Sequence, residues 1–454
     1  MKDYPLGCRV SAPGDWTIRT HDGREIHLSG VLSYDPKEGA ELTGHCSMDI
    51  EALREEKRFF IVTSESNNLN GCTIFQAYVS STAYRGEHCD VKIKGASVIT
   101  NYVHNEQYDK CFNKAVLYYD HIDIFWEERI INSHSKKVEH GIYITPGMKT
   151  LFSTSFEKCK ISLSEYATVL SGHAYSNAKV ITKLDIESDS PLDYFEMLFV
   201  SHEANRALNF IRGNVNNFSS LAFYKPFQTD DPFEELSCKS SVLFNTFYNE
   251  RTPTFIPIVY FRERDNSESI IKTLYGIYPK YRTSILSALS SIGNDNDVMY
   301  KFFAICRALE SAYSIEKEPP LNDCLKIMIS KMSELVPADL DETLKNIIHA
   351  RIKTIGNKTL TEKLEDIDDQ LFRYTGFAVG LKSRGTYEGL ASSITAVRNS
   401  IAHFNKKVTK TRADEYQKYY LLLKRCFFAY LFMKAEVDSE YIRVNILRYE
   451  FLAE

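Results

Sequence analysis

The spacing of apolar residues changes along this 454-residue chain, and that change constrains the fold more than any single residue does. Up to about Asp189 the apolar and β-branched residues come in short alternating runs: Glu25–Ser33, Phe59–Thr63, Thr73–Val79, Ser97–Thr100, Ala115–Ile131, Gly141–Thr145, Lys160–Leu163 and Lys179–Ile186. A period of two puts one face of a strand in a core and the other in solvent. Asp22-Gly23, Asp35-Pro36, Asn70-Gly71 and Pro146-Gly147 separate the runs and read as turns. Many short strands with frequent turns predict a sandwich or a barrel.

Between Pro191 and Arg212 the period becomes helical, through Leu192, Phe195, Phe199, Ala207, Leu208 and Ile211. Further β-like runs follow at Ser219–Tyr224, Ser241–Phe247 and Phe255–Phe261, and polar residues at Arg262–Asn266 end the last of them. From there the pattern predicts helices over about 267–290, 297–315, 321–335, 341–355, 360–372, 386–403, 411–435 and 437–450. The expected fold class is therefore α+β and multidomain. A β-rich, sandwich- or barrel-like domain spans 1–264, with a helix near 191–212, and an all-α bundle spans 265–454. A chain this long divides into more than one core.

Charge is unevenly spread. From Ser267 onward there are 27 Lys+Arg against 24 Asp+Glu, whereas the preceding residues carry 28 against 36. Between Arg373 and Arg425 the count is 11 basic to 3 acidic, a local excess that attracts polyanions. The ten cysteines stand singly, with no C-x-x-C and no zinc-finger spacing, so neither a metal nor any other cofactor is expected. The opening Met1-Lys2-Asp3-Tyr4-Pro5 has no apolar signal region, and the apolar stretch Cys426–Met433 is too short to span a membrane. The expectation is a cytoplasmic protein with no membrane partner.

Chemistry concentrates in Thr386–Phe404. Leu390, Ile394, Val397 and Ile401 form one apolar stripe, and Arg398, Asn399 and His403 lie off it. Asn399 and His403 are four apart and share a face. Arg398 and His403 are five apart, about 140° around an ideal helix, so they converge on one ligand only if the helix ends or distorts near His403. An imidazole titrates near neutrality and serves as base or acid, while a guanidinium offers a planar, permanently charged fork for phosphate oxygens. RNA cleavage by the ribose 2′-OH needs these groups: a base, an acid, and positive charge on the phosphorane. One chain supplies one such histidine, so a homodimer carrying base and acid in two copies is expected. Lys406, Lys407, Lys410 and Arg412 follow as candidate phosphate contacts. The competing structural reading is an arginine ion-paired on a helix face and a histidine set against the helix dipole.

The stretch Val397–Phe404 resembles the R-N-x-x-x-H signature of HEPN domains, all-α dimeric modules of which many are metal-independent endoribonucleases. Arg307-Ala308-Leu309-Glu310 resembles the early helix of ApeA-like HEPN proteins, and Trp16 with Gly30-Val31-Leu32 resembles the N-terminal domain of the ApeA family of bacterial antiphage proteins. The resemblance implies a β-rich sensor domain restraining a toxin that cleaves cellular RNA, often tRNA, until a phage-encoded activator arrives. It implies that Arg398 and His403 are catalytic, that Asn399 is their polar companion, and that Glu310 is an acidic neighbour of the pocket. The alternative is a non-catalytic HEPN module that binds RNA or a protein. An enzyme of sugars or nucleotides in the β half ranks last, because no acid/base pair with supporting context occurs there.

Overall fold

The computed structural model describes residues 4–20, 24–46, 60–65, 67–85, 88–104, 110–119, 135–138, 141–144, 147–171, 176–215, 218–226, 237–244, 267–292, 297–316, 323–337, 340–353, 358–402 and 413–447. The expected run Phe255–Phe261, the end of Ala115–Ile131 and the linker at Arg262–Asn266 lie outside them. The chain divides into two units: 1–208 with 216–272, and 209–215 with 273–454.

The first unit is β-rich. Strands β1 (Val10–Arg19), β2 (Glu25–Asp35), β3 (Gly39–Cys46), β4 (Phe60–Ser64), β5 (Cys72–Arg85) and β6 (His88–Gly95) pair in the order β5-β4-β1-β2-β3-β6, and β6 pairs back onto β5. The result is a closed six-stranded antiparallel barrel without free edges. The alternation is clean: Ala12, Trp16, Ile18, Leu28, Leu32, Leu42, Val91 and Ile93 are all buried. Gly14, Gly30 and Gly44 stand opposite one another across β1, β2 and β3. A Cβ at Gly30 would lie 2.5 Å from the Thr43 carbonyl oxygen, so only glycine permits this close approach. The expected Asp35-Pro36 turn joins β2 to β3, where the Asp35 carboxylate accepts the Lys37 amide at 2.8 Å.

β5 also opens the barrel into a wider sheet. Gln76 adopts a positive φ of 53° at a register break, and the strand bends there. Its first half pairs with β4 and with β7 (Ser97–Thr100), and its second half with β6. Beyond β7 the sheet continues through β15 (Ser237–Phe244), β14 (Ser220–Pro226), β8 (Phe112–Tyr119), β13 (Ser176–Leu192), β12 (Cys159–Ser171) and β11 (Gly147–Phe156). β9 (Ser135–Val138) and β10 (Gly141–Ile144) form a separate pair. Helix α1 (Tyr194–Arg212) buries Tyr194 and Met197, and Tyr194 stacks on Phe75 at 4.0 Å between ring centroids.

The second unit is helical: α2 (Ser267–Ile292), α3 (Val298–Ile315), α4 (Asp323–Glu334), α5 (Glu342–Lys353), α6 (Leu360–Thr375), α7 (Ala391–Ala402), α8 (Ala413–Lys434) and the short α9 (Ser439–Ile442), which runs into a π-turn at Arg443–Leu447. α8 buries Tyr420, Leu423, Phe427, Phe428 and Leu431 around most of its circumference and packs along α3. The apolar stretch Cys426–Met433 thus belongs to a core helix. Among the described residues no helix is long and apolar enough to cross a membrane.

The motif helix begins later than its pattern suggests. The periodicity predicts 386–403, but α7 starts at Ala391. Residues 376–390 instead form an ordered link that opens with Gly376 in the left-handed region at the end of α6, φ 70°.

Candidate active site

Two helices bring the candidate residues together. α3 starts at Asp297, whose carboxylate accepts the Met299 amide at 3.2 Å. One side of α3 carries Phe303, Cys306 and Glu310 at spacings of three and four, a single line along the helix. α7 buries Ala391, Ile394 and Val397, which turns Arg398 toward α3. Arg398 Nη2 donates to Glu310 Oε2 at 3.0 Å, and Nη1 donates to Asn399 Oδ1 at 3.2 Å. The Arg398 guanidinium lies 5.6 Å from the Phe303 ring centroid, a cation–π distance. The structure therefore joins Arg398 and Asn399 with Glu310, which lies 88 positions before Arg398.

The electrostatics leave the guanidinium only half engaged. Arg398 is 29% and Glu310 28% exposed, so the ion pair faces water on one side and is worth about 1 kcal/mol or less. On the other side Arg398 Nε is buried and has no hydrogen-bond partner among the described residues. A guanidinium has five N–H donors, and one carboxylate oxygen and one amide oxygen do not use them all. Beneath it Cys306 is buried, and burial holds its thiol well above the ordinary range. Glu310 adds to that rise and Arg398 opposes it. Cys306 is a neutral floor to the site and not a nucleophile.

The scaffold under α7 is polar and specific. Asp368 of α6 is fully buried, and its carboxylate accepts three backbone amides of the 376–390 link: Val379 at 2.8 Å, Leu381 at 3.0 Å and Lys382 at 2.8 Å. Asp369 pairs with Lys382 and with Arg384, the latter at 2.9 Å. Thr395 of α7 exchanges a hydroxyl contact with Thr361 of α6 at 2.9 Å. These contacts fix where α7 begins and so where Arg398 stands. Sequence reasoning passed over Phe303, Cys306 and Asp368. The first two carry the helical signal of falling seven and four places before Glu310, whereas Asp368 carries no local signal at all.

The other candidates fare differently. His403 follows the last described residue of α7, and with Lys406, Lys407, Lys410 and Arg412 it lies outside the described residues. His45-Cys46 and His88-Cys89 are neighbours across β3 and β6. Cys46 stands opposite Cys89, and the two imidazoles are 6.5 Å apart. Among the described residues no three His, Cys, Asp or Glu side chains are grouped to hold a metal ion.

Comparison with known families gives two matches that together span most of the chain. The family model described as ApeA N-terminal domain 1 matches residues 11–272, and the one described as Apea-like HEPN matches residues 303–441. The second match contains Phe303, Glu310, Arg398 and Asn399. No curated protein matches the chain.

Proposed function

The chain belongs to the ApeA-like HEPN family, and from that premise we propose that it is an endoribonuclease of antiphage defence that cuts RNA at the Arg398 site. HEPN domains are usually RNases and act as dimers on RNA, and membership of this family supports a nuclease-type role against phage. The observation that carries the finer reading is the guanidinium of Arg398, tethered by Glu310, floored by Cys306 and left with an open side. A fixed, partly desolvated arginine suits a phosphate whose charge grows in the transition state.

The reaction needs no water and no metal. The ribose 2′-oxygen loses its proton to a base and attacks the adjacent phosphorus. The P–O5′ bond breaks, and the leaving 5′-oxygen takes a proton from an acid, which leaves a 2′,3′-cyclic phosphate. His403 is the base in one copy and the acid in the other, in a dimer whose cleft holds the RNA. Arg398 stabilises the phosphorane, Glu310 positions Arg398, and Asn399 orients the guanidinium or the phosphate through neutral hydrogen bonds. Lys406, Lys407, Lys410 and Arg412 hold the strand by its phosphates. The substrate is cellular RNA, with tRNA first. The β-rich domain over 1–264 restrains the HEPN domain over 265–454 until a phage-encoded activator releases it in the cytoplasm.

Wild type and His403→Ala, incubated with total tRNA in EDTA with the phage trigger supplied, decide the matter. Cleavage by the wild type alone, with cyclic phosphate ends, is the expected outcome. Equal cleavage by both sinks the assignment, as does RNA retained but left intact by activated wild type, which is the behaviour of a binding module.

A further inference from the structure

Two thiols meet at the edge of the barrel interior. On β3 the residues Leu42, Gly44 and Cys46 alternate with Thr43 and His45, and on β6 Cys89, Val91 and Ile93 alternate with His88, Asp90 and Lys92. The register sets Leu42 opposite Ile93, Gly44 opposite Val91 and Cys46 opposite Cys89, so the two cysteines end one inward-facing column. Both are buried, and the Cys46 thiol donates to the Cys89 carbonyl oxygen at 3.8 Å. Residues directly opposite in an antiparallel pair hold their Cα atoms about 4.5–5.5 Å apart with both side chains on one face, within the range of about 4.4–6.8 Å that a disulfide spans. In the strand pairings among the described residues no other two cysteines face each other.

The same alternation separates these thiols from the imidazoles beside them. His45 and His88 are exposed while Cys46 and Cys89 are buried, so the two kinds of side chain leave the sheet on opposite faces and share no point where one ion could sit. Position in the ladder matters as well. Cys46 is the last residue of β3 and Cys89 the second of β6, so the pair stands where strand pairing opens most readily. Cys306 and Cys426 sit mid-helix by contrast, and burial holds their thiols well above the ordinary range.

We propose that Cys46 and Cys89 are a redox-modification site, at which a small disulfide such as oxidised glutathione joins the two sulfurs and staples β3 to β6. The thiolate of one cysteine attacks the small disulfide, which forms a mixed disulfide and releases one small thiol. The thiolate of the facing cysteine then attacks the protein-bound sulfur, and the second small thiol leaves. Two protein thiols are oxidised to one S–S bond, one small disulfide is reduced, and both protons end on the departing thiols. The cross-link spans 43 positions of the chain and restricts the unfolded state accordingly. In a reducing compartment such a bond is transient and reports an oxidising shift. This inference does not rest on the nuclease reading.

The test incubates the reduced, folded full chain with oxidised glutathione for about a day, then digests it without reductant and maps the peptides by mass spectrometry. The expected result is a joined peptide pair carrying Cys46 and Cys89, which dithiothreitol separates. Cys46→Ser and Cys89→Ser, each with unchanged far-UV circular dichroism, should lose the joined pair and trap glutathione on the cysteine that remains. The linked chain should melt about 5 °C or more above the reduced one, a rise that neither variant shows. Cys46 and Cys89 both left as thiols, or each carrying its own glutathione, overturn the proposal. A joined pair that leaves the melting midpoint where it was overturns it too.

Discussion

In the β unit the buried backbone is paired strand to strand around a ring, whereas in the helical unit three amides of the link 376–390 converge on the single carboxylate of Asp368. Both arrangements meet the same requirement, that a buried N–H find an acceptor. They distribute it differently. The barrel spreads the work over six strands and fills its interior with side chains such as Trp16 and Leu32, so its stability is a sum of many modest contributions. The link concentrates three amides on one side chain at the entrance to α7, the helix that carries Arg398. In the helical unit, local stability and the geometry of the candidate site therefore depend on the same group.

Asp368→Ala breaks that dependence most directly. Three amides lose their acceptor at once and a buried carboxylate disappears, so the expected loss is about 3–5 kcal/mol. Hydrogen exchange should show Val379, Leu381 and Lys382 unprotected while the amides of β1–β6 are unchanged. Protection that persists at those three positions would show that the link is held by other means. Gly44→Val is the matched change in the barrel, where an added Cβ would sit 2.7 Å from the Ser29 carbonyl oxygen and 2.6 Å from Leu28 Cδ1. The expected cost is about 1–3 kcal/mol, because overpacking one register position leaves the rest of the ring paired. Exchange at β2 and β3 measures it. A larger loss here than for Asp368→Ala would reverse the contrast between spread and concentrated support.

The same contrast explains what could be read from the sequence. The helices were legible because their apolar residues repeat locally, whereas the resemblance implied only that Glu310 is an acidic neighbour of the pocket, and its pairing with Arg398 across 88 positions had no local signal. The β-rich class was legible as well, but not the closure of the barrel, since β6 returning to β5 is a tertiary event with no local signature. β1 was hidden by Pro13-Gly14-Asp15, which reads as a turn. In the fold β1 runs through these residues without a break, with Pro13 opposite Val31, Gly14 opposite Gly30 and Asp15 opposite Ser29 on β2. β3 and β6 were hidden by their glycines and charges. The late start of α7 was hidden because Asp368 acts from another helix. A period count sees Leu390 in phase with Ile394 and cannot see that the amide of Leu381 is taken from 13 residues away.

The smallest expected effect separates the two units by pH. His202 in the β unit lies 5.1 Å from the Phe244 ring and 5.9 Å from Phe218, and burial first, then Arg206, lowers its pKa to about 4 against the opposing pull of Glu203. In the helical unit burial lowers Lys424 to about 8, with Lys301 adding to the effect. Both shifts are depressions, so in each case the unfolded chain binds the proton more readily. Stability present above the unfolded pKa is lost as pH falls through the window down to the folded one. For His202 that window runs from about 6.5 to about 4, and for Lys424 from about 10.5 to about 8. The β unit should therefore weaken by about 1–2 kcal/mol between pH 7 and pH 5, and the helical unit should strengthen by a similar amount between pH 8 and pH 10. Unit-resolved hydrogen exchange across that range measures both, with His202→Gln and Lys424→Met flattening one slope each. A wild-type β unit as stable at pH 5 as at pH 7 would mean that His202 is not held neutral by its surroundings.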